Sequence, residues 1–373
     1  MSVPSRRKEL TPFKTIVVKV GSRILAAEGG EPRIARLVED CASLHKSGIR
    51  VVLVTSGAIA YGMRALALTK RPATIPLQQA CAGIGQNRLM SVYQSRFDAH
   101  NILTGQVLLT WDDLRSKKRY LNLRNTMFQL FEYGVIPIVN ENDSVGVEEI
   151  RFGTNDILGA QMAILAQAEV LVNLTDVGGL FDRNPNDDRS AKHIPVVAQM
   201  SDALHLLASD TKNDISVGGM GSKLKAAEIV TRAGIFCVIG DGFAHRLSEV
   251  LGREDCSTIF LPSPKRMSSR RSWMAFSGGS LGSLTIDEGA AAAILEKGKS
   301  LLPAGIRSIT GSFKAGDNVD IQTSPGSVIA RGLVNYSADE IRRIRGCKTS
   351  DIIHRLGKKE FDEVIHRDNL VVL

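Results

Sequence analysis

The sequence predicts an α/β protein: a mostly parallel, open sheet sandwiched by helices, followed by a small β-rich, barrel-like domain. Over the first 260 residues, short Val- and Ile-rich runs alternate with longer segments whose apolar residues recur every three or four positions. Strands that are apolar throughout are buried on both faces, as in parallel sheets covered by helices. Beyond a basic, Pro-containing segment, short β-rich pieces alternate with Gly-containing turns, which is typical of small barrels.

The elements follow in chain order. Strands are predicted at Thr15–Val20, Val51–Thr55, Ile102–Leu109, Val135–Val139, Val170–Leu174 and Phe236–Ile239. Helices are predicted at Arg33–Lys46, Leu77–His100, Tyr120–Glu132, Ile157–Ala168 and Lys223–Ala233. The β-rich part has predicted strands at Gly282–Ile286, Arg307–Ile309, Asn318–Ile321 and Val328–Val334, with a helix at Glu288–Lys297. We place the first domain at 1–262, a linker at 263–279 and the second domain at 280–373.

The cysteines, the apolar runs and the net charge restrict the class of protein that the sequence encodes. The five cysteines are odd in number and scattered without a CxxC pair, which argues against a disulfide framework or zinc site and favours a reducing cytoplasm. No apolar run approaches the ~20 residues that a membrane-spanning helix needs. The net charge is +8, and residues 264–373 carry 17 Lys and Arg against 12 Asp and Glu. A basic balance favours anionic partners such as nucleotides, acidic metabolites or nucleic acid.

Chemistry is expected where the strands end, because ligands of open α/β sheets lie beyond the carboxyl ends of the strands. Lys19 lies near the end of the first predicted strand, and a buried ammonium without an anion is costly. Gly21, two residues on, lets backbone N–H groups approach a phosphate closely. Alone, such a segment is more often an ordinary turn. Ser56 follows the second strand, where it either caps a helix or helps to cradle a carboxylate or phosphate.

Two further segments are rich in amides and carboxylates. The segment NENDS follows the strand that ends at Val139, and it contains Asn140 and Asp143. A carboxylate there can bind an ammonium group, although an Asx-rich turn explains the segment equally well. The segment GTND precedes an apolar helix. A helix cap accounts for Asn155 or Asp156, but not for both.

The last two segments have features of a nucleotide site. Thr175 and Asp176 follow a strand and precede two glycines, as in a plain turn or a nucleotide loop. The segment GGMGSK leads into a helix, and its glycines and Lys223 form a phosphate-binding arrangement in physical terms. It is not a Walker A loop, and a flexible hinge is the alternative. Together these segments are stronger evidence than any one of them, since they give five sites on successive strand ends of one predicted sheet.

Taken in order, the motifs KVGS, VTSGAIA, NENDSV, GTND, LTDVGGL and GGMGSK resemble those of the amino acid kinase family, in its glutamate-phosphorylating branch. The C-terminal segments DEGAAAAILEKGKSLLPAGI, FKAGDNV and ARGLVNY are similar to a PUA domain. The resemblance covers nearly the whole chain. This combination favours that branch over the kinases of aspartate, acetylglutamate or uridylate.

The resemblance implies roles for individual residues. Those implied for catalysis are Lys19 and Lys223, which stabilise the transferring phosphoryl group, and Asp156, which orients the two lysines. Those implied for substrate binding are Ser56, Asn140, Asp143 and Asn155. Those implied for ATP binding are Lys19, Thr175, Asp176, Val217, Gly218, Gly219, Met220, Gly221, Ser222 and Lys223. The sequence departs from the family pattern at Ser22, Thr154, Val217 and Gly221, none of which is a charged catalytic candidate.

The implied activity is the ATP-dependent phosphorylation of the γ-carboxylate of L-glutamate to γ-glutamyl phosphate, the first step of proline synthesis. Mg²⁺ is expected to arrive with ATP, without a protein metal site. The resemblance also implies a cytoplasmic homo-oligomer, dimer or tetramer, with proline as feedback inhibitor. The alternatives are a related kinase with another substrate and an RNA-binding protein that uses its basic C-terminal domain. Only 5% of the residues are aromatic, and no aromatic nucleic-acid platform is evident.

Overall fold

The chain forms two compact units. The computed structural model describes residues 12–26, 30–146, 155–185, 187–188, 190–201, 203–205, 219–264, 266–276, 280–323 and 326–373. One unit comprises Met1–Trp111 with Leu123–Arg266, and the other Asp112–Asn122 with Met267–Leu373. A helix, Ser269–Phe276, falls within the segment 263–279 that the sequence predicts as linker. The domain boundaries given above remain a prediction.

An eight-stranded sheet is the centre of the first unit. The strands along the chain are β1 Thr15–Val20, β2 Arg50–Val54, β3 Thr104–Leu109, β4 Ile136–Glu141, β5 Val170–Thr175, β6 Leu180–Phe181, β7 His193–Ile194, β8 Val196–Val197, β9 Phe236–Asp241 and β10 Ser257–Phe260. The sheet order is β3-β4-β2-β1-β5-β9-β10-β8, while β6 and β7 form a separate antiparallel pair. All neighbours in the large sheet are parallel except β9 and β10, which confirms the predicted mostly parallel sheet.

Helices connect these strands. They are α1 Ser22–Ala26, α2 Gly30–Lys46, α3 Ala58–Ala65, α4 Ile75–Asp98, α5 Trp111–Arg115, α6 Lys117–Glu132, α7 Asn155–Leu165, α8 Met220–Arg232 and α9 Leu247–Gly252. Within the described ranges, no helix has the length and apolar character needed to span a membrane.

The middle of the sheet positions the site. All six residues of β1 are buried, and so are all six of β5. In the register of these parallel strands, Lys19 pairs with Val54 on one side and Asn173 on the other. The core is formed largely by the apolar residues of these strands, among them Ile16, Val18 and Val172. Lys19 is therefore held near the carboxyl end of a fully buried strand.

Strand β10 was not predicted from the sequence. It contains Ser257 and Thr258, whose polar side chains suggest a loop, yet both are fully buried. Ser257 Oγ donates to the carbonyl oxygen of Val250 at 2.7 Å, and Thr258 Oγ1 donates to that of Ile194 at 2.6 Å. Because backbone carbonyls satisfy these hydroxyls, a polar sequence forms a buried strand.

The second unit is strand-rich, as predicted. Its elements are helix α10 Ser269–Phe276, β11 Gly282–Ile286, α11 Glu288–Leu295, β12 Ile306–Gly311, β13 Asn318–Thr323, β14 Val328–Leu333, α12 Ala338–Ile344, α13 Ile352–Leu356 and β15 Leu370–Val372. The sheet order is β12-β11-β13-β14-β15, and only β11 and β13 are parallel. A separate apolar core, which includes Leu284, Ile321 and Ile341, fills this unit.

Candidate active site

Three predicted catalytic residues meet at one carboxylate. Asp156 lies in the first turn of α7 and is 1% exposed. Its Oδ1 is 2.5 Å from Lys19 Nζ, and its Oδ2 is 3.3 Å from Lys223 Nζ. Both lysines are buried, one at the end of β1 and the other in the first turn of α8. We call Lys19, Asp156 and Lys223 the charged cluster.

Two neutral donors complete the surroundings of Asp156. Asn173 Nδ2, on β5, donates to Oδ1 at 2.9 Å, and Ser222 Oγ donates to Oδ2 at 2.6 Å. Each carboxylate oxygen therefore has one ammonium neighbour and one neutral donor. Such a set of donors stabilises the ionised carboxylate in a buried place.

The pKa values in the charged cluster follow from this arrangement. Burial alone would raise the pKa of Asp156, but Lys19, Lys223 and Ser222 hold it well below its ordinary value. Burial lowers the pKa of Lys223, Asp156 opposes that effect, and the positive charge of Lys19 adds to it. With both lysines protonated, two positive charges share one negative charge. In that state the cluster carries a buried excess of positive charge, which favours an anion nearby.

A second group lies on the other side of the α7 start. Asn155 Nδ2 is 2.7 Å from both the Thr55 carbonyl oxygen and Ser56 Oγ, and 3.0 Å from Asn140 Oδ1. Asn140 Nδ2 in turn donates to Gln86 Oε1 on α4 at 2.8 Å. We call Ser56, Gln86, Asn140 and Asn155 the amide cluster. It is neutral, and it joins the ends of β2 and β4 to the first turn of α7.

Local geometry explains how Ser56 reaches this position. Gly57, the residue before α3, has a φ of 98°. That backbone conformation is disfavoured for residues with a Cβ. The chain therefore turns sharply out of β2, and Ser56 is held beneath the start of α3 with only 7% exposure.

Two polar atoms of the amide cluster are available for hydrogen bonds to a ligand. The atoms Asn155 Oδ1 and Gln86 Nε2 are buried and have no hydrogen-bond partner within the described ranges. Asp143, in the turn after β4, is 8% exposed. A neutral amide acceptor, an amide donor and a carboxylate suit an amino acid, which has an ammonium group and carboxylates.

Thr175 and Asp176 lie at the end of β5. Thr175 Oγ1 donates to Asp176 Oδ1 at 3.0 Å, and Arg23 of α1 contacts Asp176 Oδ2 at 2.7 Å. Burial raises the pKa of Asp176, but these two donors lower it overall. Asp176 also acts on the pKa of Lys223, raising it against the effect of burial. The charge of this strand end therefore acts on the charged cluster.

The glycine-rich segment begins α8. Gly219 is the N-cap residue, and its carbonyl oxygen lies 2.8 Å from Ser222 Oγ, whose single hydroxyl hydrogen is assigned to the nearer, charged Asp156 Oδ2. Gly219 and Gly221 are exposed and Met220 is half-buried, and a Cβ at Gly221 would meet nothing within 4 Å. Val217 and Gly218 of the predicted ATP site lie outside the described residues, as does Thr154.

Sequence reasoning missed three residues of this site. Gln86 and Asn173 are polar residues within a helix and a strand, where the pattern carries no loop or motif signal. Gly159 lies one turn after Asn155, and a Cβ built there would be 3.2 Å from Lys19 Cβ. In the sequence, an asparagine within an apolar strand and a glycine within an apolar helix are unusual enough to single out Asn173 and Gly159. Neither feature shows which residue it contacts in the folded protein.

Fold and site together define a phosphate-handling α/β enzyme, with basic side chains and a helix start at the carboxyl ends of parallel strands. Two family profiles agree with this class. The profile described as "Amino acid kinase family" matches residues 14–241, and that described as "PUA domain" matches residues 282–356. A solved structure of carbamate kinase from Giardia lamblia bound to AMP-PNP is similar over 68% of this chain and 99% of its own, at 17% identity and a TM-score of 0.48.

Relatives of nearly the same length are named "Glutamate 5-kinase". That of Syntrophus aciditrophicus is 45% identical over 99% of this chain and 97% of its own length. That of Caldanaerobacter subterraneus is 46% identical over 96% and 97%, and that of Methylococcus capsulatus is 42% identical over 98% and 99%. The chain therefore belongs to the amino acid kinase family, in its glutamate 5-kinase branch, and its C-terminal unit contains a PUA domain.

Proposed function

We propose that this chain transfers the γ-phosphoryl group of ATP to the γ-carboxylate of L-glutamate, forming γ-glutamyl phosphate and ADP, the first step of proline synthesis. One observation carries the proposal: two buried ammonium groups share a single carboxylate, next to a neutral amide cluster, at the ends of adjacent strands. The names of the full-length relatives support glutamate as substrate.

The chemistry needs charge stabilisation more than proton transfer. The γ-carboxylate of glutamate has a reference pKa of about 4.3, so it is ionised at neutral pH and needs no general base. One of its oxygens attacks the γ-phosphorus, and the bond from that phosphorus to the bridging oxygen of ADP breaks. The barrier comes from bringing one anion towards another, in line and without water.

The charged cluster suits that task. Lys19 and Lys223 are proposed to face the transferring phosphoryl group and to balance the charge that builds up on its oxygens. Asp156 is proposed to orient both amines, since it contacts each of them. Mg²⁺ is proposed to enter as part of the ATP complex and to offset charge on the phosphates.

The remaining residues are assigned by the chemistry of each group. We assign the glutamate to the amide cluster and Asp143, whose carboxylate suits the substrate ammonium. Thr175, Asp176 and the segment 217–223 are assigned to ATP, because backbone N–H groups at a helix start favour phosphate. Val217 and Gly218 remain in this assignment on the sequence alone.

The defining experiment traps the product. The full chain is incubated with ATP, Mg²⁺, glutamate and hydroxylamine, which converts an acyl phosphate into a hydroxamate. We expect hydroxamate with glutamate, and none above background with aspartate or acetylglutamate; because phosphorylated uridylate is not an acyl phosphate, transfer to uridylate is followed by ADP release instead. Turnover of another acceptor in place of glutamate would overturn the assigned substrate, and no phosphoryl transfer to any of them would overturn the assigned activity.

The compartment, the oligomeric state and further ligands are proposals or predictions of a different kind. All five cysteines are buried thiols, which accords with a reducing compartment, and we propose the cytoplasm. A homo-oligomer, feedback inhibition by proline and RNA binding by the C-terminal unit stay predictions. RNA contact is tested by titration at several salt concentrations, because binding through phosphates weakens steeply as salt rises.

A further inference from the structure

We infer that Asn173 is a positioning residue for phosphoryl transfer, and that it acts by holding the carboxylate of Asp156; the inference rests on the proposed function. Asn173 is the one amide in β5, a strand whose six residues, VLVNLT, are all buried. Central strands of this kind are normally apolar. An amide in that place needs a partner that accounts for its presence.

The partner is the carboxylate that both lysines share. Asn173 Nδ2 donates to Asp156 Oδ1 at 2.9 Å, and Lys19 Nζ lies 2.5 Å from the same oxygen. Lys19 and Asn173 are also paired in the register of β1 and β5, so their side chains rise from the same face of the sheet. Exchanging the amide nitrogen and oxygen would set two acceptors against each other, so the donor must face Asp156.

Core packing does not explain this amide. Asn173 is 1% exposed, and its Oδ1 has no hydrogen-bond partner in the described part of the chain. A buried polar atom without a partner destabilises the folded state. A leucine or valine would serve the strand better, so the contact with Asp156 is what Asn173 contributes.

The contact has a consequence for the reaction. When a phosphoryl group reaches Lys19 and Lys223, the two ammonium groups must direct hydrogen bonds towards it as well as towards Asp156. The neutral donors Asn173 and Ser222 keep one bond on each carboxylate oxygen throughout. Asp156 therefore stays in place and keeps both amines aimed at the substrate, which is preorganisation of the kind that lowers a barrier.

The test replaces the amide by two side chains of different volume. Both Asn173→Leu and Asn173→Ala remove the Nδ2 donor. Leucine has a larger side chain than asparagine, and alanine has a smaller one. For each purified full-length variant, kcat and the KM values for glutamate and ATP are measured, together with Tm. We expect kcat to fall about tenfold in both variants, as for a lost hydrogen bond to a charged group, with each KM within a factor of two.

Asn318 provides the matched control. It is also a buried strand asparagine whose Oδ1 has no partner in the described residues, but its Nδ2 donates to the Met274 carbonyl oxygen in the second unit. Asn318→Leu should lower Tm and leave kcat unchanged. If the Asn173 variants do the same, Asn173 is only structural and the inference is wrong.

Assaying the parent enzyme alongside the variants distinguishes a failure of the Asn173 inference from a failure of the proposed function. A parent that does not phosphorylate glutamate overturns the proposed function. An active parent with variants at parental kcat overturns only the role of Asn173. If one of the two variants does not fold, the kcat of the other decides.

Discussion

The charged cluster and the amide cluster are built on neighbouring residues of one helix, yet they differ in charge and in hydrogen bonding. Asp156 contacts two ammonium groups and two neutral donors, whereas Asn155 contacts a serine hydroxyl, a backbone carbonyl and an amide. One cluster concentrates charge, and the other is neutral with unused hydrogen-bond capacity. The first turn of α7 thus divides the site into a part suited to a polyanion and a part suited to an amino acid.

This division follows from how charge and amides behave when buried. A buried ion that loses its partner becomes strongly unfavourable, so the charged cluster is sensitive to any single change. An amide that loses a partner costs less, and a ligand can replace that partner. We therefore expect changes in the charged cluster to lower kcat and to affect folding, and changes around the amide cluster to act chiefly on the KM for glutamate.

The largest effect is expected from Asp156→Asn. The variant removes the carboxylate that contacts both Lys19 and Lys223, so kcat should fall by about 10³-fold or more. The free energy of unfolding should drop by about 3–5 kcal/mol, as when one member of a buried ion pair is removed. Denaturant unfolding and steady-state kinetics measure both. Asp255→Asn, which makes the same chemical change at an exposed ion pair with Arg253, should alter neither.

The same variant gives a pH dependence whose sign follows from the lowered pKa of Asp156. A carboxyl group with a lower pKa in the folded state stabilises it above the unfolded pKa, about 3.9, and this stabilisation is lost as the pH falls further. The difference in unfolding free energy between parent and Asp156→Asn should be constant near neutral pH and shrink below about pH 4. A difference that grows on acidification would contradict the ion-pair interpretation.

The next effect is expected from Lys223→Ala. Removing one preorganised charge stabiliser should lower kcat by about 10²–10³-fold. Lys225→Ala is the control on the same helix, because its ammonium group is exposed and pairs with Glu228. The control should keep the parental kcat. If Lys223→Ala turns over within a factor of three of the parent, Lys223 has no part in the transfer.

The part of the site assigned to glutamate, which combines the amide cluster with Asp143, is tested with Asp143→Ala. If its carboxylate pairs with the substrate ammonium, the KM for glutamate should rise about 10- to 100-fold, with a smaller change in the KM for ATP. Ser144→Ala, at the exposed neighbouring position, should leave both constants unchanged. Equal weakening of both ligands would contradict the assignment of Asp143 to glutamate.

Much of the fold could be predicted from the sequence, because the buried strands of the first unit are nearly continuous Val and Ile runs. The predicted β1 coincides with the observed Thr15–Val20. Motifs at strand ends also singled out Lys19, Asp156 and Lys223, which the structure brings together. The sequence could not pair Asn173 with Asp156, because the bond joins two elements through tertiary packing. Nor could it predict β10, whose hydroxyls are satisfied by distant carbonyls.

Gly159 shows the same limit and leads to the smallest expected effect. A Cβ on Gly159 would lie 3.2 Å from Lys19 Cβ and 3.4 Å from its Cγ, so alanine there would push the lysine stem aside. We expect Gly159→Ala to lower kcat about 3- to 10-fold at unchanged KM, since small misplacements of a charged group weaken its stabilising effect. Gly83→Ala is the control, because it lies within α4 and a Cβ there meets nothing within 4 Å. Both variants gain helix propensity, roughly 1 kcal/mol each. A fall in kcat confined to Gly159→Ala would therefore trace to Lys19, and an equal kcat in the two variants would show that the charged cluster tolerates displacement of its lysine.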